Sequence, residues 1–365
     1  MAEKRIGRRS FIKRATATVA ASAAFGPVFA QSRRRVRWRM PTSWPESLDT
    51  IYGGARHLAR RVKELTDGRF EIEVYPAGKL MPALAVFDAV RKGKVEIAHT
   101  ASYYYTKLHP AFAFATALPF GLTARQQNAW LYQGGGAELL NRELYAAYGV
   151  RAFTAGNTGL QMGGWFRRPV DTIQDLRGLR MRIPGLGGEI MKRLGVQTVL
   201  LPAGEIYGAL EAGRIDATEW VGPYDDEKLG FYKVAAYYYY PGWWEPGTTL
   251  HAFVNLKAWN GLPADYRAAL AAAAREANEL VLADYDHKNP LALERLLGSG
   301  VALRPFPPEV LRLAAREADA LYQELAAKDA TYARIYRNWN QARTRLFRWF
   351  GTNERAYADF VFPQV

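Results

Sequence analysis

The chain has 365 residues, of which 49% are hydrophobic and 23% charged, and it carries a net charge of +14. That is a globular composition with room for two lobes, each with its own core. The lack of cysteine excludes disulfides, thiolate metal sites and a cysteine nucleophile, and the basic charge comes with no zinc-finger, RNP or helix-turn-helix pattern, so nucleic acid is not expected as a partner.

Residues 1–30 hold Lys4, Arg5, Arg8, Arg9, Lys13 and Arg14 against Glu3, which leaves the rest of the chain at +9. Arg8 and Arg9 are followed by Ser10, Phe11, Ile12 and Lys13, then by a small apolar run over 15–25, then by Val28, Phe29 and Ala30 ahead of Gln31. The segment 1–30 resembles a twin-arginine signal peptide, with Gly7 where Ser or Thr is usual. The resemblance implies export, cleavage before Gln31 and a soluble periplasmic protein. The run is too short and too poor in Leu and Ile for a spanning helix, and no later stretch is apolar enough. A basic amphipathic helix lying on a membrane is the other reading of this segment.

Val36, Trp38 and Met40 alternate with Arg, so a strand is predicted over 35–41. Ser47 or Asp49 caps a predicted helix reaching Thr66, with Ile51, Ala55, Leu58, Val62 and Leu65 inward and Gly68 as its stop. Phe70, Ile72 and Val74 give a second strand, completing a βαβ opening of an α/β sheet. A helix over 88–92 and a strand over 95–98 follow. Tyr103, Tyr104 and Tyr105 come just after that strand, at the sheet edge where such folds bind ligands.

A second lobe is expected to begin near 151–156. Strands are predicted over 159–166, containing Gln161, and over 179–183, 198–201, 216–220, 237–240 and 248–255. Helices lie between them at 188–194 and 205–211, with a turn or short helix at 173–178. The last strand returns to the first lobe. Helices over 264–285, 308–327 and 332–350 close the chain. Neither lobe is one continuous segment: 31–156 opens lobe I, 157–246 forms lobe II, 247–305 returns to lobe I, and 306–365 holds the C-terminal helices.

Arg182 shares a strand face with Arg180, opposite Met181 and Ile183; a guanidinium at a strand end holds a carboxylate through two parallel hydrogen bonds. Glu219 and Glu245 each sit beside Trp, with Gly nearby. A carboxylate among aromatic rings is costly unless paired or metal-bound. With a Gln amide oxygen they form a hard donor set suited to sodium or calcium rather than zinc. The plain alternative for all three is an exposed surface charge. His57, His99, His109, His251 and His287 form no metal-binding pattern and read as structural. Gly134, Gly135 and Gly136 read as a loop, and hydrolase, P-loop and dinucleotide signatures are absent. An enzyme is therefore not expected.

Several segments together resemble the solute-binding proteins of TRAP (tripartite ATP-independent periplasmic) transporters: 90–97, Val-Arg-Lys-Gly-Lys-Val-Glu-Ile; 175–182, Asp-Leu-Arg-Gly-Leu-Arg-Met-Arg; and 201–219, from Leu-Pro-Ala-Gly-Glu-Ile to Ile-Asp-Ala-Thr-Glu. The segments 156–166, 218–228 and 240–245 resemble the branch that binds 2-oxo acids and lactate. The resemblance implies an α/β, two-lobe, type II-like periplasmic binding protein with crossing strands and long C-terminal helices. It implies that Arg182 pairs with the substrate carboxylate and that Gln161 touches substrate and metal. Glu219, Glu245 and the Trp220 carbonyl would ligate the cation, and Tyr103 and Tyr104 would close over the ligand. Arg182, the two glutamates and a monocarboxylate sum to −2, which calcium neutralises and sodium only halves. Calcium is thus favoured, with sodium open. The partners implied are the TRAP membrane subunits and a second copy docked through the C-terminal helices. The rival readings are a dicarboxylate or sugar acid bound without metal, a lyase or hydratase using Glu219 and Glu245 as acid and base, and a sensor subunit for a membrane kinase.

Overall fold

The computed structural model describes residues 34–364, so the expected signal segment 1–30 lies outside the described residues. Two groups of strands organise the chain. In the first, β1 (Val36–Pro41) is followed by α1 (Ile51–Leu65) and pairs with β2 (Phe70–Tyr75). After α2 (Val86–Arg91), β3 (Ile97–Thr100) meets the end of this pair through a parallel bridge between Thr42 and His99. Three helices, α3 (Phe112–Thr116), α4 (Ala124–Tyr132) and α5 (Gly136–Glu143), lead to β4 (Val150–Asn157).

The second group comprises β5 (Trp165–Phe166), β6 (Arg180–Arg182), α6 (Gly185–Arg193), β7 (Gln197–Val199), α7 (Ala203–Glu211), β8 (Ala217–Thr218), α8 (Pro223–Leu229) and β9 (Tyr237–Tyr240). The chain then re-enters the first group as β10 (Thr249–Asn255), antiparallel to both β3 and β4. Next come α9 (Leu256–Asn260), α10 (Ala264–Gly298) and β11 (Ala302–Pro305), which pairs parallel with β9. The second sheet therefore runs β11-β9-β5-β8-β6-β7. The chain ends in α11 (Pro308–Lys328), α12 (Ala330–Thr352) and α13 (Glu354–Val361).

Four expectations need correction. The segment 247–305 was expected to stay with the first group, but β11 joins the second. The 35 residues of α10 span about 50 Å, enough to carry the chain from β4 to α8 and the far sheet. That helix was expected to stop at 285; it continues past Pro290, whose ring removes a single donor. The residue ahead of α1 is Thr50, not Ser47 or Asp49; the Asp49 carboxylate instead accepts from Tyr224 at 3.0 Å, and Leu65 is exposed rather than inward. Finally, only Trp165 and Phe166 of the predicted strand 159–166 are extended. Gly159 and Gly164 there have φ of 74° and 79°, and a Cβ on Gly164 would stand 2.2 Å from the Thr218 carbonyl oxygen. Backbone packed that closely forms a loop laid on β8, not a ladder strand.

The closing helices pack in two directions. α11 lies on α6, whereas α12 lies on α3, α4 and α5. Tyr332, Ile335 and Trp339 of α12 are buried, with Tyr332 and Trp339 against Phe114. Later in the helix Phe347 and Trp349 are exposed. The helix is thus buried along its first half and exposed farther on.

Candidate functional site

β6 runs parallel to β8 with Arg182 opposite Thr218, so Glu219, the next residue after β8, falls beside the guanidinium. Both side chains are buried, at 1% and 0% exposure. Arg182 Nη1 donates to the Glu219 carbonyl oxygen at 3.0 Å and also contacts the Glu219 carboxylate. Its Nε donates to the Leu201 carbonyl at 3.0 Å, and its guanidinium carbon lies 5.0 Å from the centre of the Trp220 ring. A hydrogen-bonded acid partner and an aromatic face are what make a buried guanidinium tolerable.

The second carboxylate comes from the turn after β9. Gln161 N donates to the Glu245 carbonyl at 3.1 Å, and Gly242 N donates back to the Gln161 carbonyl at 2.9 Å. A Cβ on Gly242 would stand 2.4 Å from that oxygen, so only glycine lets the two segments interlock. The Glu245 carboxylate accepts from Thr248 Oγ1 at 2.8 Å and from the Tyr103 hydroxyl at 3.3 Å. Gln161 Nε2 donates to Thr158 Oγ1 at 3.0 Å, which turns its amide oxygen the other way.

All seven site residues expected from the sequence gather here. Tyr103, Tyr104, Gln161 and Trp220 line a cavity of only about 10 Å³; Arg182 stacks on Trp220, Glu245 accepts from Tyr103, and Glu219 pairs with Arg182. The sequence reading missed Trp44, Thr158 and Thr248, which line the same cavity. For the two threonines a signal exists: each lies three residues from the side chain it bonds, Gln161 or Glu245. Trp44 carried none. Asp225 and Asp226 were quoted within 218–228 without a role; Asp225 accepts from Trp220 Nε1 at 3.3 Å and Asp226 from Trp165 Nε1 at 3.0 Å. Asp225 thus holds the Trp220 indole of the site, and Asp226 the Trp165 indole of β5.

Burial, reinforced by the neighbouring Glu245 charge against the pull of Arg182, drives the Glu219 carboxyl well above the usual range. Burial also pushes Glu245 up to about 7, against the Thr248 hydroxyl and Arg182. Burial alone would lower the Arg182 guanidinium, but Glu219 and its neighbours hold it up. Two carboxylates facing one guanidinium leave an excess negative charge in a place without solvent.

Three atoms say what the cluster is suited to hold. Gln161 Oε1, Glu219 Oε2 and Arg182 Nη2 are buried without a hydrogen-bond partner. The first two are hard oxygen donors, which fit a calcium or sodium ion, and the third is a donor that fits a carboxylate. Among the described residues no group of three or more His, Cys, Asp or Glu side chains forms a metal cage. Any cation here therefore relies on amide and carbonyl oxygens, or on the ligand, as well as on the two glutamates.

Residues 42–329 match the family model for bacterial extracellular solute-binding protein, family 7. The chain belongs to that family. A curated member from a Nostoc species, a monocarboxylate 2-oxoacid-binding periplasmic protein, is 53% identical over 326 residues, 89% of each chain. Among solved structures, a TRAP transporter solute-binding protein from Bordetella bronchiseptica with calcium and picolinate is 47% identical. The match covers 91% of this chain and 98% of that one with a TM-score of 0.89. One from Colwellia psychrerythraea with calcium and pyruvate is 39% identical, covers 89% and 99%, and has a TM-score of 0.87. One from Pseudoalteromonas atlantica with sodium and pyruvate is 40% identical, covers 90% and 99%, and also has a TM-score of 0.87. The family 7 protein accordingly has the two-lobe periplasmic binding fold, and it is a solute-binding protein of transport rather than an enzyme. No helix among the described residues is long and apolar enough to cross a membrane.

Proposed function

We propose that this protein captures a small 2-oxo or 2-hydroxy monocarboxylate, pyruvate or lactate in size, together with a cation, and presents it to TRAP membrane subunits. The convergence of three buried unpartnered atoms, Arg182 Nη2, Glu219 Oε2 and Gln161 Oε1, carries this reading. Arg182 Nη2 would donate to the substrate carboxylate. Glu219, Glu245, the Trp220 carbonyl and Gln161 Oε1 would hold the cation. When bound, that ion supplies the charge that lets a third carboxylate join two buried ones, and it favours a ligand with a second oxygen beside the carboxylate. Charge balance favours calcium over sodium, while relatives with either ion are known.

The same reading covers export and assembly. The twin-arginine segment 1–30 would send the folded protein to the periplasm, where the named relatives act. Residues 31–156 and 247–301 would form one lobe and 157–246 with β11 the other, closing over the ligand. The exposed Phe347, Trp349, Tyr357 and Phe362 would dock a second copy, and the Bordetella bronchiseptica relative is described as a dimer.

Calorimetric titration of the chain from Gln31 with pyruvate, 2-oxobutyrate, lactate and succinate, before and after chelation, tests the ligand. Binding of the first three that weakens without cation and fails in Arg182→Ala is the expected result. Succinate binding regardless of cation would overturn the chelated monocarboxylate.

A further inference from the structure

A second pocket, of about 550 Å³, opens beside β4 and away from the site above. β4 is an edge strand of its sheet, and part of that edge is closed by a side chain. Asn141 of α5 accepts from Ala152 N at 2.7 Å and donates to the Ala152 carbonyl at 3.1 Å. The strand edge is thereby fixed against α5 without filling the space next to it. Opposite, the first turns of α10 present Ala264, Ala268 and Ala271 to the cavity, and these short side chains leave the room.

The walls combine arginines with flat rings. The Arg151 guanidinium carbon lies 5.6 Å from the ring centres of both Phe153 and Trp259. Arg267 lies 6.0 Å from the same indole, and Arg275 lies 5.7 Å from the Tyr132 ring. Two guanidiniums on one indole repel each other, and the acid lining the pocket, Glu138, is 3.6 Å from Arg151 and 65% exposed. Glu279 bears on the Tyr132 side of the mouth. Arg267 and Arg275 make no ion pair among the described residues, and Arg151 Nε is buried without a hydrogen-bond partner. The pocket walls therefore carry three guanidiniums against one carboxylate, beside the rings of Tyr132, Phe153 and Trp259.

We propose that this pocket is a second ligand site, for an aromatic carboxylate of single-ring size. The volume falls in the range of small-molecule sites. Guanidiniums take the carboxylate in paired hydrogen bonds, and the rings of Trp259 and Phe153 take the flat apolar body. A metal ion is excluded by the charge, and a plain aliphatic acid would waste the stacking surface. The inference stands apart from the 2-oxo acid reading, since it shares no residue with that site.

The test uses the whole chain from Gln31, titrated with benzene-1,3-dicarboxylate by calorimetry and by tryptophan fluorescence. Calcium and pyruvate are held in excess, and the titration is repeated in Arg182→Ala, which disables the first site. The expected result is saturable binding of one equivalent in both backgrounds, about tenfold tighter than cyclohexane-1,3-dicarboxylate. Arg267→Gln with Arg275→Gln should weaken it about tenfold while leaving the pyruvate titration unchanged. Arg275 is exposed, Arg267 half-buried, and neither makes an ion pair among the described residues, so this variant should keep its fold. Binding that pyruvate displaces, binding indifferent to the two arginine changes, or no saturation by ~10 mM would each overturn the proposal. Loss of pyruvate binding alone would count against the first site only.

Discussion

Arg182 reaches Glu219 twice, through the backbone carbonyl at 3.0 Å and through the carboxylate, with the same Nη1. Its other terminal nitrogen, Nη2, is buried without a hydrogen-bond partner. Arg182→Lys keeps the positive charge and loses the fork, so pyruvate affinity should fall at least about tenfold. Arg182→Ala strands two buried carboxylates and should also cost about 3–5 kcal/mol of stability. Parallel calorimetry and urea denaturation separate the two effects. A lysine variant that binds as tightly as the parent would show that the fork is not used.

The charge count gives a prediction about ion choice. Glu245→Gln keeps the shape, the Thr248 contact and an oxygen donor but removes one negative charge. The site with a monocarboxylate then carries one excess negative charge, which sodium neutralises. Calcium dependence should weaken by at least about tenfold while sodium dependence persists, measured as pyruvate affinity against each ion. Equal loss for both ions would mean that geometry, not charge, sets the preference.

How far the site was legible in the sequence depends on the residue. Arg182 stood out because it alternates on a strand with apolar neighbours, and Glu219 and Glu245 because each adjoins tryptophan. Their meeting came only from the resemblance to the family, not from the residue pattern. It depends on β6 pairing with β8, strands of three and two residues that periodicity barely marks. Gln161 was found but set in a strand, since Gly163 and Gly164 were read as part of an extended run and not as close-approach positions. The helix expected over 264–285 runs on to Gly298, because packing on β4 and α1, which local sequence does not show, sustains it through Pro290. β11 was missed entirely; four partly exposed residues acquire their strand character only from β9.

Behind the site, Tyr285 of α10 donates to Asp225 at 2.8 Å, while Asp225 accepts from Trp220. Burial pushes the Asp225 carboxyl up to about 7. Tyr285→Phe leaves a buried acid with one donor fewer and should cost about 1–3 kcal/mol. Tyr332 offers the contrast: its hydroxyl is buried with no partner, so Tyr332→Phe should be neutral or stabilising. Urea midpoints of the two variants check this. A similar loss in both would mean that ring packing, not the hydrogen bond, is being measured.

His99 supplies the pH dependence. Trp44 Nε1 donates to its Nδ1 at 2.8 Å, and its Nε2 faces the Ala155 carbonyl at 2.9 Å. An indole nitrogen only donates and a carbonyl only accepts, so the ring is neutral with the proton on Nε2. A second proton would break the Trp44 bond in a place without water, and burial lowers the group to about 4. His251 is lowered likewise, to about 3. The unfolded chain takes up these protons near pH 6.5 and the folded chain does not until about pH 4. The contribution of His99 to stability should therefore fall as pH drops through that window, by on the order of 3 kcal/mol. Asp225 and Asp226, raised to about 7 and 6 by burial, act in the opposite sense as they take up protons, as do Glu245, raised to about 7, and Glu219. The difference between the parent and His99→Gln cancels their contribution. That difference, followed by urea denaturation from pH 7 to pH 4, should change steadily below pH 6.5, with the parent losing stability relative to the variant. A constant difference would mean that His99 is protonated in the fold and that the Trp44 contact is made some other way.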